Sequence, residues 1–501
     1  MNAVRLLIRR LMVCDAFAAV GIPGRSMLAC VLFLYSGVLS PGMAIAQPAT
    51  TANSKAFESS RPNVLMILAD DLGYGDLGCF GRQDIRTPNL DRLASEGVRF
   101  TDHYANGAEC TPTRAAFLTG RYQQRIGGLE CAIGTGNVGR YDDAIRLRQT
   151  NDLGLPVDEP TLMSMLHDAG YQTWLCGKWH LGYEPKFAPH LHGFDHTFYC
   201  IGGGMDYFHF LDTVAGYNLF REGQPVSADG YFTDLMTDDA IKLIQNRNDS
   251  PFFLYLAYTC PHAPFQGPDD RQVDPLPLDS PLWNQGDAPP DVYVKMIEHM
   301  DRRIGDVLKT LEQQTLASNT LVIFAGDNGG TRSARNAPLS GFKGSTFEGG
   351  IRVPGMIRWT GKIPAGLTCE TPCLTLDFTK SIIQLAGAKP SPEKPLEGID
   401  IVQHVLDGCP PIDRTLYWRK QRGTQVWKAV REGTLKYVAE DRPENQQESL
   451  FDLSADIAEQ QDLKSERPED FQRLRGKYLS WEQEVRRNRR GRPDPLGATS
   501  R

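Results

Sequence analysis

After residue 46 the sequence contains no run of about 20 apolar residues, the length that a membrane-spanning helix needs. It has no internal repeat, and no cysteines and histidines stand at the spacing of a zinc site. Hydrophobic residues make up 41% and charged residues 23% of the 501 residues, which is the balance of a globular protein. The chain is therefore neither fibrous nor disordered in composition, and it is long enough for one large core and a smaller one.

The sequence also lacks an excess of positive charge. It has 54 Lys and Arg against 61 Asp and Glu, a net charge of −7. The first 46 residues hold four Arg and one Asp, so the remainder carries about −10. This balance argues against nucleic acid as a partner, and a polyanionic substrate would have to be attracted by local positive charge.

The first 46 residues have the pattern of a secretory signal. Three arginines within the first ten residues and Arg25 precede an apolar run from Met27 to Val38, and the small residues at 44–46 offer a cleavage site. We therefore expect a signal peptide over 1–46, a linker over 47–61 and an exported protein, periplasmic or secreted, with no integral membrane association after cleavage. A retained anchor is the alternative, although Pro41 interrupts the apolar region, and Met27 is an alternative start.

Two apolar runs of strand length end in pairs of oxygen-bearing side chains. The run Asn63 to Ala69 is followed by Asp70 and Asp71, and the run Thr320 to Ala325 is followed, after one glycine, by Asp327 and Asn328. Adjacent side chains on a strand point to opposite faces, so Asp70 and Asp71 can meet one ion only if the strand has already ended. Hard oxygen ligands suit Ca²⁺ or Mg²⁺, and we predict one such ion here; for residues 327–329 a plain Asp-Asn-Gly turn is the alternative.

A reactive residue is predicted at a helix start near Cys110. Pro112 suits the first helical position, apolar residues follow, and Gly120 is a stop signal. Cys110 would then lie just ahead of a helix N-terminus, where backbone N–H groups favour an anion, and Arg114 adds a full charge. A buried cysteine beside a surface arginine is the alternative.

Three further segments place polar side chains after strands or between glycines. Lys178 and His180 follow the strand-like run Tyr171 to Leu175, and they would share one face if strand geometry continued. His262 lies between two prolines after the run Phe252 to Tyr258, and Lys343 lies in a glycine-rich segment. Each of these residues alone is also compatible with a purely structural role.

Strands alternating with helices predict an α/β fold with a large, mostly parallel mixed sheet flanked by helices, and with its site at the carboxyl ends of the strands. We expect this catalytic α/β domain over 62–374, a smaller C-terminal α+β subdomain over 375–485, and a basic disordered tail over 486–501. Residues 126–153 are expected to form loops. Among the cysteines, Cys369 and Cys373 are the nearest candidates for a disulfide.

The string from Cys110 to Arg114, C-T-P-T-R, continues to L-T-G-R and resembles the maturation signature of the type I sulfatases, the formylglycine-dependent, arylsulfatase-like branch of the alkaline phosphatase superfamily. Thr113 stands where that family usually has Ser. The resemblance runs from Asn63 to about Leu463 with the motifs in family order. It implies that Cys110 is oxidised to formylglycine by a transient partner, the formylglycine-generating enzyme.

The resemblance also implies roles for the remaining residues. Those matching Asp70, Asp71, Asp327 and Asn328 bind Ca²⁺ or Mg²⁺ together with residue 110, and the sulfate is surrounded by Arg114, Lys178, His180, His262 and Lys343. Hydrated formylglycine would attack sulfur through one metal-polarised hydroxyl, and Lys343 and His262 would stabilise and protonate the departing alcohol. His180 would then take the proton of the second hydroxyl so that the sulfated form eliminates sulfate.

The expected activity is that of a sulfuric ester hydrolase, and we expect a sulfated small molecule or, preferably, a sulfated carbohydrate as substrate. The alternatives are a formylglycine-dependent phosphonate or phosphodiester hydrolase and a catalytically dead secreted glycan-binding protein. Substrate selection is expected in the loops 127–153, 202–217 and 268–290. Their aromatic residues would either stack on sugar rings or pack at the rim: Tyr207, Phe208, Phe210 and Trp283.

Overall fold

The computed structural model describes residues 61–134, 139–212 and 216–491. The expected signal peptide, the linker up to residue 60 and residues 492–501 of the expected tail lie outside the described residues. Across these three ranges, no helix combines the length and the apolarity that crossing a membrane would take.

A ten-stranded mixed sheet forms the centre of the fold, and its five central strands are parallel. The strand Asn63–Ala69 lies in the middle with all seven residues buried, as expected for a parallel sheet that is covered on both faces. In spatial order the strands are Leu367–Cys369, Val98–Phe100, Gly355–Arg358, Thr320–Gly326, Asn63–Ala69, Phe252–Ala257, Gln172–Lys178, His196–Cys200, Leu219–Arg221 and Gln224–Pro225. The predicted α/β fold is confirmed.

Helices cover both faces of this sheet because alternate side chains of each strand point to opposite sides. Val64, Met66 and Leu68 belong to one hydrophobic cluster, and Leu65 and Ile67 belong to the other. Helices on the first side are Cys110–Thr119, Asp142–Gln149, Leu162–Asp168, Thr375–Ala386 and Ile401–Leu406. Helices on the second side are Pro88–Ser95, Phe232–Asn246 and Pro290–Gln313.

The register of the parallel strands brings their carboxyl ends together. Ala69 pairs with Gly326, and Leu68 pairs with Ala257, which in turn pairs with Gly177. The segments that follow these four strands therefore emerge at one edge of the sheet, and these are the segments that carry most of the predicted site residues.

The smaller C-terminal region is an antiparallel sheet covered by a helix. Its strands are Thr415–Arg422, Gln425–Glu432, Leu435–Arg442 and Asn445–Asp452, and the helix Pro468–Val485 packs against it. The helices Thr375–Ala386 and Ile401–Leu406 instead join the core of the large sheet. The expected boundary at residue 375 therefore falls within the large α/β layer, and the small sheet begins only at Thr415.

Two segments expected to be irregular are ordered by charged contacts. Residues 142–149 form a helix with Asp142 and Asp143 in its first turn and arginines in its last turn, which suits the helix dipole. The described part of the basic tail packs against this region: Arg489 donates to Asp143 at 2.5 Å, and Arg490 donates to the Gly154 carbonyl at 2.6 Å. Arg489 and Arg490 are thus not part of a solvated end, because their guanidinium groups meet a buried carboxylate and a buried carbonyl group.

The disulfide expected between Cys369 and Cys373 is wrong, because Cys369 is bonded to Cys409, 40 residues along the chain. Cys369 ends one strand of the large sheet, and Cys409 follows the helix Ile401–Leu406, so the fold brings distant segments together. Cys373 is a buried free thiol.

We expect Cys409→Ser to lower the free energy of unfolding by about 2–4 kcal/mol, because the bond closes a long loop in the unfolded chain. Chemical denaturation under non-reducing conditions measures this loss. In the matched variant Cys373→Ser, a protease digest without reductant should still contain the peptides that are crosslinked through Cys369 and Cys409. A crosslink between residues 369 and 373 would contradict the assignment.

Candidate functional site

The predicted acidic pairs converge at the edge of the sheet where the parallel strands end. The strand Asn63–Ala69 stops before Asp70, and Asp71 has φ 65°, a left-handed conformation that turns its side chain back toward the same site. Ligand atoms of Asp70, Cys110 and Asp327 lie within 4.8 Å of one another, and so do those of Asp70, Asp71 and His262. The expectation that Asp70 and Asp71 can converge because the strand has ended is met.

The donor set suits a hard divalent cation. Asp70 Oδ1 and Asn328 Oδ1 are buried oxygen atoms that find no hydrogen-bond partner within the described part of the chain, although the other oxygen of Asp70 and the amide nitrogen of Asn328 are bonded. Buried polar atoms are normally paired, so two unpaired oxygens in one carboxylate cluster indicate a ligand. Oxygen-only donors fit Ca²⁺ or Mg²⁺ and do not distinguish between them.

Two buried cations and one partly buried cation balance the carboxylates. Arg114 binds Asp327 Oδ2 through two N–H groups at 3.1 and 2.9 Å, Lys343 Nζ lies 2.8 Å from Asp71, and Lys178 Nζ donates to Asp70. Arg114 and Lys178 are fully buried. Such charges are tolerated inside a protein only when they are paired and hydrogen-bonded, which these contacts provide.

The carboxylates titrate very differently. Burial raises the pKa of Asp71, but the charges of Lys343, His262 and Lys178 outweigh it and hold the pKa at about 2. For Asp327, burial and the neighbouring Asp70 prevail over Arg114, and its pKa rises to about 7. Negative charge is therefore compensated by cations around Asp71, whereas it is crowded by a second carboxylate around Asp327.

Cys110 is itself the first residue of the helix Cys110–Thr119, and Glu109 is the preceding cap. The expected start at Pro112 is therefore two residues late. Cys110 is 1% exposed, and burial raises the pKa of its thiol to about 11. Thr113, at the position where Ser was expected, closes the turn before the helix, since its Oγ1 accepts from the Gly107 amide at 3.0 Å and donates to the Gly107 carbonyl.

His180 reaches the site by a different geometry from the one expected. The strand Gln172–Lys178 ends before it, and His180 has φ 56°, so Lys178 and His180 do not share a face as strand neighbours. Trp179 does point into the core, as expected. His180 Nε2 lies 2.8 Å from the Ile133 carbonyl and must donate to it, which leaves Nδ1 as the lone-pair atom; Nδ1 has no partner among the described residues.

His262 is fixed in the opposite tautomer. Its Nδ1 lies 2.5 Å from the Ala263 carbonyl and donates to it, so Nε2 accepts from Gln285 Nε2 at 3.0 Å. The same Nε2 is 3.6 Å from Asp71. Burial, and then the charge of Lys343, lower the pKa of His262 to about 3.

A cavity of about 430 Å³ opens onto these groups. Its wall includes Cys110, His180, His262 and Lys343, four of the six residues predicted to act on substrate. Arg114 and Lys178 lie behind this wall, where they bind the buried carboxylates of Asp327 and Asp70. The loops 127–153, 202–217 and 268–290, expected to select substrate, contribute Ile133, Gly203, Asp212, Trp283 and Gln285.

Three of the four aromatic residues proposed for sugar stacking are core residues. Tyr207, Phe208 and Phe210 are at most 5% exposed and pack in the hydrophobic cluster around the strand Phe252–Ala257. Only Trp283 lines the cavity. The spacing of these aromatic residues does not indicate their burial because residues 205–210 form neither a helix nor a strand.

Sequence reasoning missed Glu109, Gln285 and the glycines that cover the two histidines. A Cβ atom on Gly203 would lie 2.9 Å from His180 Cε1, and one on Gly204 would lie 3.0 Å from His262 Cε1. The run of glycines from residue 202 was the available signal, because consecutive glycines mark a close approach of backbone to other groups. These residues let the backbone pass directly over both imidazole rings.

We expect Gly203→Ala to lower kcat by about tenfold or more with the fold intact, because the added methyl group must displace the buried His180 ring. Steady-state kinetics measures kcat, and circular dichroism checks that the variant is folded. The matched control is Gly476→Ala in the helix Pro468–Val485, where a Cβ atom meets nothing within 4 Å. Equal kcat for the two variants would show that the space above His180 is not constrained.

Comparison with known proteins finds matches over most of the chain. The family model described as Sulfatase matches residues 62–388. The chain is 30% identical to human steryl-sulfatase over 473 residues, which covers 75% of this chain and 77% of that protein. It is 33% identical to mouse N-acetylgalactosamine-6-sulfatase over 380 residues, with 71% and 68% covered. A crystal structure of Ps i-CgsB in complex with k-i-k-neocarrahexaose matches with TM-score 0.74 and 30% identity over 86% of this chain and 94% of that one.

Proposed function

Since the chain belongs to the sulfatase family of sulfuric ester hydrolases, we propose that it releases inorganic sulfate from a sulfated carbohydrate, using formylglycine made from Cys110 and one bound Ca²⁺ or Mg²⁺. The observation that carries the proposal is the pair of unpartnered buried oxygens, on Asp70 and Asn328, in a carboxylate cluster that includes residue 110.

The metal would be held by Asp70, Asp71, Asp327 and Asn328 together with residue 110. When bound, it would supply Lewis-acid polarisation of the attacking oxygen. The charges then favour an anion, because three carboxylates, a divalent ion, Arg114, Lys178 and Lys343 sum to about +2 before either histidine is counted. A sulfate group can therefore be attracted into a protein whose overall charge is negative.

The two histidines suit proton transfer at defined atoms. His180 Nδ1 carries a lone pair without a partner among the described residues, so it is the base in this proposal. Lys343 Nζ, 2.8 Å from Asp71, is the positively charged donor that stabilises and protonates the departing alcohol oxygen. His262 Nε2, 3.6 Å from Asp71, carries a lone pair in this structure and would have to gain a proton before it could share that role. Gln285 orients the His262 ring and excludes water from its outer side.

A carbohydrate substrate is supported by two kinds of observation. The solved relative was crystallised with an oligosaccharide, and one sequence relative is named for a sulfated amino sugar. In this chain, the cavity is bordered by polar and charged side chains such as Arg140, Asp212 and Gln285, together with Trp283. Hydrogen-bonding groups beside an indole ring are the usual surroundings of a sugar.

We expect peptide mass spectrometry to find formylglycine at residue 110 in protein co-expressed with a formylglycine-generating enzyme. Cys110→Ala should then lose sulfate release by at least a hundredfold, with little change in melting temperature. The matched variant Cys200→Ala, at another buried thiol, should retain formylglycine at residue 110. Full activity in protein whose residue 110 is unmodified cysteine would refute the mechanism.

We expect metal removal by a chelator to abolish sulfate release and to lower the melting temperature, because an ion that binds only the folded state stabilises it by about 2.7 kcal/mol at 100 times its Kd. Calorimetric titration with Ca²⁺ and Mg²⁺ identifies the preferred ion. Asn328→Ala should weaken binding, whereas Asn319→Ala, on the opposite end of the strand Thr320–Gly326, should not.

Comparison of sulfate ester, phosphonate and phosphodiester turnover separates the proposal from its nearest rival. Faster turnover of the phosphorus substrates would favour the phosphonate or phosphodiester hydrolase. Binding of sulfated glycan without any release of sulfate by the formylglycine form would favour a dead glycan-binding protein.

A further inference from the structure

A second, larger cavity of about 990 Å³ adjoins the pocket that contains Cys110. The two share Glu109, Gln285, Lys343 and Arg422 in their walls, so they form one continuous cleft. This cleft extends away from the pocket that contains Cys110, where the scissile sulfate would bind. The rest of a bound substrate would lie along it.

The far wall of the cleft comes from the small C-terminal sheet. Lys420, Arg422 and Trp427 lie on its first hairpin, formed by Thr415–Arg422 and Gln425–Glu432. Lys420 Nζ is 4.2 Å from the centre of the Trp427 ring and donates to the Gly344 carbonyl at 2.6 Å. The hairpin is thereby fixed against the segment that carries Lys343.

Glu109 carries one negative charge but faces two cations. Its Oε1 lies 2.9 Å from Lys420 Nζ and 3.0 Å from Arg422 Nη2. Glu109 and Lys420 are nearly buried, whereas 48% of the Arg422 side chain is exposed. One positive charge is therefore left in excess, and Arg422 presents it to the cleft with N–H groups to spare.

Arg332 supplies a second cation in the same cavity. Its guanidinium carbon lies 4.5 Å from the centre of the Phe342 ring, and its side chain is exposed. Within the ranges that the structure describes, Arg332 makes no ion pair with a carboxylate. Stacking on an aromatic face holds a guanidinium flat while its N–H edge stays available to an anion.

The acidic residues of the cleft do not cancel these charges. Glu440 is paired with Arg442 at 3.0 Å, and Asp287 is exposed and accepts from Asn284. Lys343 and Glu440 are each paired with a residue outside the wall, Asp71 and Arg442. The other charged residues of the wall are Arg332, Lys420 and Arg422 against Glu109 and Asp287, which leaves one positive charge in excess. The cleft is therefore positive in a chain whose net charge is −7.

We propose that Arg422 and Arg332 form an anion-binding subsite that recognises a second negative group, a sulfate or a carboxylate, on a sugar next to the one that loses its sulfate. The proposal rests on the proposed function. Guanidinium groups bind the paired oxygens of either anion in a bidentate way. A neutral neighbouring sugar would leave Arg332 without an anionic partner among the described residues, and Arg422 would share Glu109 with Lys420. Trp427 adds an indole surface for the ring that carries the anion.

The test uses the mature enzyme and three oligosaccharides that share the scissile sulfate and differ in the neighbouring sugar, which is neutral, sulfated or carboxylated. We expect kcat/KM to be about tenfold higher or more for an anionic neighbour, since a charge-assisted contact is of that order. The preference should decrease with added salt because the cleft is open to solvent. The better of the two anionic substrates identifies the anion.

Arg332→Gln and Arg422→Gln should each reduce this preference severalfold, and Arg332→Lys should retain more of it than Arg332→Gln. The matched control is Arg148→Gln, which removes the same charge from an exposed position on the helix Asp142–Gln149 and should keep the full preference. Equal kcat/KM for neutral and anionic neighbours in the unaltered enzyme, or an unchanged preference in both variants, would overturn the subsite.

Failure of the proposed function gives a different result. In that case no sulfate is released from any of the three oligosaccharides or from a small aryl sulfate. The subsite is then tested by calorimetric binding of the oligosaccharide that lacks the scissile sulfate but keeps the neighbouring anion. Affinity that falls about tenfold in Arg332→Gln supports the subsite, and equal affinity in both proteins refutes it. Arg332 is exposed, so this variant remains informative if Arg422→Gln does not fold.

Discussion

The site depends on the balance between three buried carboxylates and three cations, two buried and one partly buried, at the carboxyl edge of the sheet. At separations near 3 Å, with little water between them, an unbalanced charge costs several kcal/mol, so each group holds the others in place. The backbone provides the positions, because the parallel register of Asn63–Ala69 with Thr320–Gly326 sets Asp70 and Asp327 side by side. A shift of one residue in either strand would turn these side chains to the opposite faces of the sheet.

A further set of groups fixes the orientation of the side chains at the site. The carbonyl of Ile133 binds Nε2 of His180 and that of Ala263 binds Nδ1 of His262, so the lone pair remains on Nδ1 of His180 and on Nε2 of His262. Glycines pass over both rings. Glu109 connects the start of the Cys110 helix to the C-terminal sheet, so the reactive end and the substrate-facing wall are parts of one hydrogen-bonded unit.

The fold class, and the set of side chains that the structure brings together at the candidate site, could be predicted because their signals are local. Buried parallel strands appear as continuous apolar runs, and polar groups directly after them mark the functional edge. The partners of those residues could not be predicted, because they depend on tertiary geometry. Gln285 meets His262 across a proline-rich loop, Cys409 meets Cys369 across 40 residues, and Arg422 meets Glu109 from the other sheet. Local patterns also failed where burial reversed an interpretation, as for Tyr207.

The burial of Cys110 has a consequence for the order of events in the life of the chain. With 1% of its surface exposed, and with its backbone already in a helix packed against the sheet, the side chain is beyond the reach of any other protein's catalytic groups. If residue 110 is converted to formylglycine, as proposed, the oxidising enzyme must therefore act while this segment is still extended. On that proposal, oxidation and folding compete for the same stretch of polypeptide, and chains that fold first would keep an unconverted cysteine.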